Sequence, residues 1–266
     1  MTMSNQTDVR GVDVAGPAEA PELLFVHGVL FTRKQWAPQR EALSEEFRVV
    51  APDLPGHGVR SGEPFQMERA LQVVDEAVER AADGQAHVVG LSLGGYVATM
   101  YAQRHPEKVE SLVVADSCAN PTGVLGTLTR AVSRVSNAAT ESRLVRRAVD
   151  WVAGRWVRSR NLPDAIEREI VDARFFPGQF GKAGLELAGT DFRALFATYR
   201  GPALVLNGQW DLVMRLGEDD HAAAGDARAE VIDGAGHTSN FDEPGAFAEA
   251  VRRFVRTEVA TGADRR

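Results

Sequence analysis

The first feature that could do chemistry is a serine set between glycines. Ser92 lies in the segment Gly90–Gly95, which reads Gly-Leu-Ser-Leu-Gly-Gly. The apolar run Ala86–Leu91 leads into this segment, and helical spacing begins at Leu93. A Gly-x-Ser-x-Gly pattern at a strand-to-helix turn holds the serine on a tight corner, where small neighbours relieve crowding. The N-terminus of the following helix favours developing negative charge. This placement predicts that Ser92 is a nucleophile.

A serine hydroxyl needs a neighbouring base to take its proton, and the sequence contains six histidines. His237 follows the last apolar run in a glycine-rich loop, so it would lie at the carboxyl end of a strand, as Ser92 does. His87 begins the strand before Ser92, and we expect it at the opposite end of the sheet. His105 and His221 are expected on the surface. The sequence therefore favours His237 as the base.

A catalytic histidine is oriented by a carboxylate, which also stabilises the imidazolium. Two aspartates directly follow runs that we interpret as strands. Asp211 comes shortly after the run Ala203–Asn207, and Asp116 ends the run Val109–Ala115. Asp211 is the leading candidate for the acid, and Asp116 is its competitor, because both would project from the carboxyl edge of the sheet.

Short apolar runs alternate with helical stretches along most of the chain. Strands that are apolar throughout and separated by helices are typical of a parallel sheet buried on both faces. Residues 118–190 interrupt this alternation. They contain no convincing strand and at least two helical patterns, about Leu128–Trp156 and Asp164–Asp172. We therefore expect an α/β protein with a helical insertion.

The composition excludes several classes of protein. The 266 residues are 44% hydrophobic and 25% charged, which argues against disorder and disulfide scaffolds. The net charge of −7 argues against a binder of nucleic acid over the whole surface. Cys118 is the single cysteine, so no intrachain disulfide can form. We interpret Cys118 as a small apolar residue after a strand rather than a nucleophile.

The sequence also carries an expectation about location. No apolar run approaches the roughly 20 residues that a membrane helix needs. The polar segment Met1–Gly16 lacks the basic-then-apolar order of a signal peptide. We therefore expect a cytoplasmic protein without a membrane span.

The segments around these residues resemble the α/β-hydrolase-fold serine hydrolases. Phe25–Val29 (Phe-Val-His-Gly-Val) is similar to the oxyanion loop of that family, and Asp53–Gly58 (Asp-Leu-Pro-Gly-His-Gly) to a structural loop of the same fold. The chain order Ser92, Asp211, His237 is the order that the family requires. The matching motifs extend over most of the chain.

The resemblance implies an α/β-hydrolase fold, in which helices flank a mostly parallel sheet and a helical lid is inserted. Residues 1–117 and 191–266 would form the core, and residues 118–190 the lid. The backbone N–H groups of Val29 and Leu93 would form the oxyanion hole. His27 and His57 would order loops rather than do chemistry. The sequence has no metal-ligand cluster and no phosphate-binding glycine loop, so no cofactor is expected.

The resemblance also carries a hypothesis about the reaction. Gly236–Asn240 is similar to the ester and enol-lactone hydrolases of the superfamily, and dehalogenases would have aspartate in place of Ser92. We expect cleavage of a small carboxylic ester or lactone through an acyl-enzyme on Ser92, with His237 as general base and Asp211 orienting it. Lid side chains would line the substrate pocket. The candidates are Leu125, Leu128, Trp151, Trp156, Phe175 and Phe176.

Two alternative functions stay open. Residues 118–190 carry 11 basic and 7 acidic side chains, which leaves a net charge of −11 on the rest of the chain. Because acyl carrier proteins and coenzyme A are acidic, the first alternative is a thioesterase or acyltransferase acting on an acyl chain bound to one of them. The second is a hydrolase-fold receptor or partner-binding protein with little turnover.

Overall fold

Short runs of apolar residues form the strands of one sheet. The computed structural model describes residues 11–81 and 84–263; residues 1–10, 82–83 and 264–266 of the predicted core lie outside them. The described strands are β1 (Val12–Ala15), β2 (Glu22–Val26), β3 (Arg48–Pro52), β4 (Ala86–Leu91), β5 (Val109–Ala115), β6 (Ala203–Gly208) and β7 (Arg228–Ile232).

The sheet is mostly parallel, as the sequence predicts. Its spatial order is β1-β3-β2-β4-β5-β6-β7. β1 is antiparallel to β3, and the remaining neighbouring pairs are parallel. β2, β4 and β6 are buried along their whole lengths, because helices cover both faces. β4 therefore lies at the centre of the sheet, and the chain that leaves its carboxyl end reaches Ser92.

Helices connect the strands. The described helices are α1 (Ala37–Leu43), α2 (Met67–Ala81), α3 (Leu93–Arg104), α4 (Gly123–Glu141), α5 (Arg143–Val157), α6 (Asp164–Asp172), α7 (Phe180–Leu187), α8 (Phe192–Phe196), α9 (Glu218–Ala224), α10 (Ser239–Asp242) and α11 (Pro244–Ala263).

Alternating side chains of strands β2 to β6 pack into cores on opposite faces of the sheet. In β2, Leu24 joins the core that includes Val74 of α2 and Val97 of α3. The preceding residue, Leu23, joins the core that includes Phe247 of α11. This alternation is the consequence of the two-residue period of a strand. Packing on both faces holds the strands in place, and the candidate site lies at their ends.

Between β5 and β6 the chain forms only helices within the described residues. The predicted helical stretch Leu128–Trp156 is two helices, since Ser142 is extended (φ −69°, ψ 125°) and separates α4 from α5. The stem of this insertion is closed where Gly189 N–H donates to Pro121 O at 2.8 Å. None of the helices in the described part of the chain is long and apolar enough to cross a bilayer.

Charged contacts join the insertion to the core. Glu169 of α6 accepts two hydrogen bonds from Arg40 of α1, at 2.9 and 2.7 Å, and pairs with Lys34 at 2.9 Å. These hydrogen bonds lower the pKa of Glu169 to about 2. α6 is thus fixed against α1 of the core.

Candidate active site

Ser92 occupies a sharp turn between β4 and α3. Its φ of 54° and ψ of −118° are uncommon for a non-glycine residue. The turn closes because two glycines lack side chains: a Cβ on Gly90 would lie 2.2 Å from Gly94 O, and a Cβ on Gly94 would lie 2.0 Å from Val26 O. Ser92 N–H donates to Ala115 O at 2.9 Å, which ties the turn to β5. The serine is thereby held at the carboxyl edge of the sheet.

The structure brings Ser92, His237 and Asp211 together in one hydrogen-bonded chain. His237 Nε2 lies 3.0 Å from Ser92 Oγ, and His237 Nδ1 lies 2.6 Å from Asp211 Oδ2. A carboxylate only accepts, so Nδ1 carries the proton and Nε2 is free to accept one from the serine. This tautomer is the one that a general base at His237 requires.

The electrostatic surroundings of His237 favour its protonated form. Partial burial opposes the charge, but the hydrogen bond and the negative charge of Asp211 outweigh that effect and raise the pKa of His237. The Asp211 side chain is 5% exposed, whereas that of His237 is 45% exposed. A buried carboxylate thus supports an imidazole that remains open to a substrate.

Asp116 also lies at this edge, but its oxygens contact other groups. Oδ1 accepts from Gly208 N–H at 2.8 Å. Oδ2 accepts from Ser239 N–H at 3.2 Å and from Ser239 Oγ at 2.7 Å. Of the two aspartates that the sequence offers, Asp211 is the one at hydrogen-bond distance from His237.

The residues expected to form the oxyanion hole lie beside Ser92. Val29 and Leu93 both line the cavity that contains it. Because Leu93 is the first residue of α3, its N–H has no intrahelical acceptor.

Two buried histidines lie next to this loop. His57 contacts Val29, with Nε2 2.7 Å from Val29 O. His27 is fully buried and accepts from Leu54 N–H at 2.9 Å; burial holds its pKa well below the ordinary value. Both histidines fix loops.

The Ser92 cavity has a volume of about 280 Å³, and none of its lining residues is charged. Leu125 and Leu128 of α4, predicted from the sequence, line it. The sequence missed several others, which come from α3, α4, α7 and the turn after β6. These further large lining residues are Tyr96, Val132, Phe180, Leu187, Val213 and Met214.

Four of the predicted pocket residues lie elsewhere. Trp151 is 67% exposed on α5. Trp156 and Phe175 pack around Phe31, with ring centroids 6.4 and 5.8 Å from it. Phe176 stacks edge-on against His57 at 5.6 Å. Trp156, Phe175 and Phe176 therefore attach the insertion to the core and do not line the Ser92 cavity, whereas Trp151 is exposed.

A second, open cleft is lined in part by the segment that leads into α7. Its volume is about 460 Å³, and Phe175 and Phe176 form part of its wall. Four cationic side chains and one carboxylate line it: Arg146, Arg147, Arg174, Lys182 and Asp150. Four of the eleven basic side chains of the insertion therefore lie around one cleft.

The described residues offer no metal site, because no group of three or more His, Cys, Asp or Glu side chains among them could hold an ion. Cys118 is buried beside Asn207, and burial raises the pKa of its thiol to about 12. His221 was expected on the surface, but it is 1% exposed and packs on Phe196, 4.6 Å between ring centroids. That expectation is wrong.

The parallel sheet and the serine turn after its central strand define an α/β-hydrolase fold. The chain belongs to the alpha/beta hydrolase family, whose sequence model matches residues 23–250. The family is one of hydrolases, so the chain belongs with hydrolytic enzymes. The fold and the family that the sequence predicts are both confirmed.

Characterised relatives include esterases and lactonases. The chain is 31% identical over 261 residues to a pimeloyl-[acyl-carrier protein] methyl ester esterase of Aromatoleum aromaticum, covering 89% of this chain and 98% of that protein. It is 27% identical over 267 residues to 3-oxoadipate enol-lactonase 1 of Acinetobacter baylyi, covering 97% of each. The crystal structure of a hydrolase from Pseudomonas aeruginosa is 27% identical, with a TM-score of 0.74 over 92% of this chain and 93% of that one.

Proposed function

We propose that this protein hydrolyses a carboxylic ester or lactone through an acyl-enzyme on Ser92. The observation that carries the proposal is the hydrogen-bonded chain from Ser92 through His237 to Asp211, which opens into an apolar cavity. The esterase and enol-lactonase relatives support the same reaction class.

In this mechanism His237 Nε2 takes the Ser92 proton as Oγ attacks the ester carbonyl. The oxyanion receives hydrogen bonds from the N–H groups of Val29 and Leu93, and one such donor contributes roughly 3–4 kcal/mol to the transition state. His237 then gives its proton to the leaving alkoxide, which leaves an ester on Ser92. Water, deprotonated by His237, attacks this acyl-enzyme; the acid is released as His237 returns that proton to Ser92 Oγ. With a lactone, the alcohol and the acid remain in one molecule.

The cavity favours a small, uncharged substrate. Its 280 Å³ is at the lower edge of the roughly 300–1,000 Å³ of ligand pockets. No lining residue is charged, so a free carboxylate on the substrate would lie there without a cationic partner, which is costly. We infer a short aliphatic or aromatic acyl group. Residues 118–190 would act as the lid, since α4 and α7 contribute much of the cavity wall.

A second candidate substrate is an ester or thioester carried by an acidic acyl carrier or by coenzyme A. The four cations of the second cleft support it, as does the relative that acts on a carrier-bound methyl ester. A negatively charged carrier would be attracted to the insertion, and that attraction is screened by salt. A receptor with little turnover remains the third candidate.

Turnover of a substrate series tests the proposal. We expect hydrolysis of short p-nitrophenyl esters, and a loss of at least about 10³-fold in Ser92→Ala. Ester turnover that survives Ser92→Ala would contradict the assignment of Ser92 as the nucleophile. Preference for acyl-CoA or acyl carrier esters, lost at high salt and in Arg146→Ala/Arg147→Ala, would favour the second candidate. If the protein turns over none of these substrates and a fluorophosphonate does not label Ser92, the third candidate, a receptor with little turnover, would be favoured.

A further inference from the structure

Asp116 is a buried carboxylate that the proposed reaction does not use. It follows β5 directly, is fully buried, and has a φ of 47°, in the left-handed region. Aspartate tolerates that conformation better than most non-glycine residues, and hydrogen bonds hold it there. Asp116 N–H donates to Leu206 O at 3.0 Å, which fixes the residue between the ends of β5 and β6.

The three hydrogen bonds that Asp116 accepts join the two segments that carry the catalytic partners. Gly208, whose N–H contacts Oδ1, ends β6 three residues before Asp211, and Asp211 N–H donates back to Gly208 O at 3.1 Å. Ser239, which contacts Oδ2 through both its N–H and its Oγ, lies two residues after His237. One carboxylate therefore sets the position of the Asp211 turn relative to the His237 loop.

We propose that Asp116 is a positioning residue whose ionised carboxylate holds the Asp211 turn and the His237 loop in the geometry that aligns His237 with Ser92. The proposal rests on the proposed function. Ionisation matters because a carboxylate accepts from all three donors, whereas a carboxylic acid carries its own proton into a cluster of donors. Protonation of Asp116 would therefore loosen the contact with Ser239 and, through it, the position of His237.

The surroundings of Asp116 make this protonation relevant near neutral pH. Burial raises the pKa of Asp116 to about 7, although hydrogen bonds from Ser239 and Gly208 and the charge of His237 oppose the rise. Among the described residues, Cys118, on the segment after β5, is also in electrostatic contact with Asp116. Two groups, His237 and Asp116, must then lose protons for full activity.

The test compares Asp116→Asn with Asp211→Asn and Ser239→Ala. Asparagine keeps the shape of Asp116 but turns an NH₂ toward Ser239. We expect kcat/KM to fall about 10- to 100-fold in Asp116→Asn, through kcat with KM unchanged, because the cavity wall is untouched. Ser239→Ala should lose less, and Asp211→Asn about 10⁴-fold, as for the equivalent orienting acid of a serine protease. Asp233→Asn, on the exposed part of the same loop, removes the same charge and should leave kcat/KM within twofold.

The pH profile separates positioning from a purely structural role. In the wild type the acid limb of log kcat/KM should be steeper than one per pH unit, and in Asp116→Asn it should have a slope of one. An unchanged acid limb in Asp116→Asn, or a loss in kcat/KM as large as that of Asp211→Asn, would overturn the proposal.

A readout without substrate keeps this test independent of the proposed function. The downfield NMR resonance of the His237 Nδ1 proton should broaden in the wild type as Asp116 becomes protonated. In Asp116→Asn it should already be broadened at high pH. If the wild-type protein neither turns over esters nor reacts with a fluorophosphonate, the proposed function fails, while a resonance that does not respond to Asp116→Asn would refute the positioning role by itself.

Discussion

At the scale of single residues, the Ser92 cavity depends on side chains that come from separate parts of the chain. Leu128 of α4, Phe180 of α7 and Met214 of the turn after β6 all line it. Leu128 is 57% exposed, so it lies at the mouth of the cavity and not at its base. A change there should alter which substrate enters without touching Ser92.

We predict that Leu128→Trp changes the chain-length preference. The larger ring would occupy part of a cavity of about 280 Å³. The kcat/KM for longer p-nitrophenyl esters should therefore fall by about 10-fold or more relative to that for the acetate. One methylene in an apolar pocket changes this ratio by roughly 10–200-fold. Val135→Trp is the matched control, because Val135 is 70% exposed on the same helix and does not line the cavity. If Leu128→Trp and Val135→Trp changed kcat/KM across the ester series equally, this prediction would be contradicted.

The same residues show what sequence reasoning can reach. Ser92, Asp211 and His237 each follow an apolar run, and a parallel sheet brings such positions to one edge, so the sequence could predict that these three side chains lie together. An apolar residue of an amphipathic helix looks the same whether it packs on the core, as Trp156 does, or lines a cavity, as Leu125 does. The cavity wall could therefore not be predicted, since it forms where distant segments meet.

At the scale of elements, the helical stretch predicted at Leu128–Trp156 is divided, because Ser142 separates α4 from α5. The break does not fall at a glycine or a proline, so local sequence offers no clear signal for it. His221 was misplaced for a related reason: Asp219 and Asp220 are exposed and make α9 look polar all round, but the next position faces Phe196.

The serine turn is the element on which the site depends most directly. We predict that Gly94→Ala lowers the free energy of unfolding by about 1–3 kcal/mol and nearly abolishes ester turnover, because the new Cβ would meet backbone, Val26 O, at 2.0 Å. Gly245→Ala in α11 is the control, since its Cβ would meet nothing within 4 Å, and it should stabilise by roughly 0.5–1 kcal/mol. Urea unfolding measures both. A Gly94→Ala protein as stable and active as the wild type would show that the turn can open without loss.

At the scale of the whole molecule, buried carboxyl groups should govern how stability depends on pH. Glu22 begins β2, is 4% exposed, and neither carboxylate oxygen has a hydrogen-bond partner among the described residues. Burial is the main cause that raises the pKa of Glu22 to about 8, while Arg48 opposes the rise and Glu110 adds to it. The raised pKa of Asp116 acts in the same direction.

The sign of this dependence follows from proton binding. Between the ordinary pKa of Glu22, 4.5, and its folded value of about 8, the folded chain binds more protons than the unfolded chain, so stability falls as pH rises through that window. We predict that Glu22→Gln is more stable than the wild type at pH 9 by about 1–3 kcal/mol and equal to it near pH 4. The exposed Glu19→Gln should change neither value. Urea unfolding at several pH values measures this, and parallel curves for Glu22→Gln and wild type would contradict it.

The buried thiol of Cys118 makes this chain convenient for site-specific labelling. Thiol reagents attack the thiolate, and the native fold both buries Cys118 and keeps it protonated at neutral pH. A cysteine introduced at the exposed Leu144 or Trp151 of α5 would then be the single reactive thiol of the folded protein. A fluorophore attached there would test whether the insertion moves during turnover, with the natural cysteine left in place.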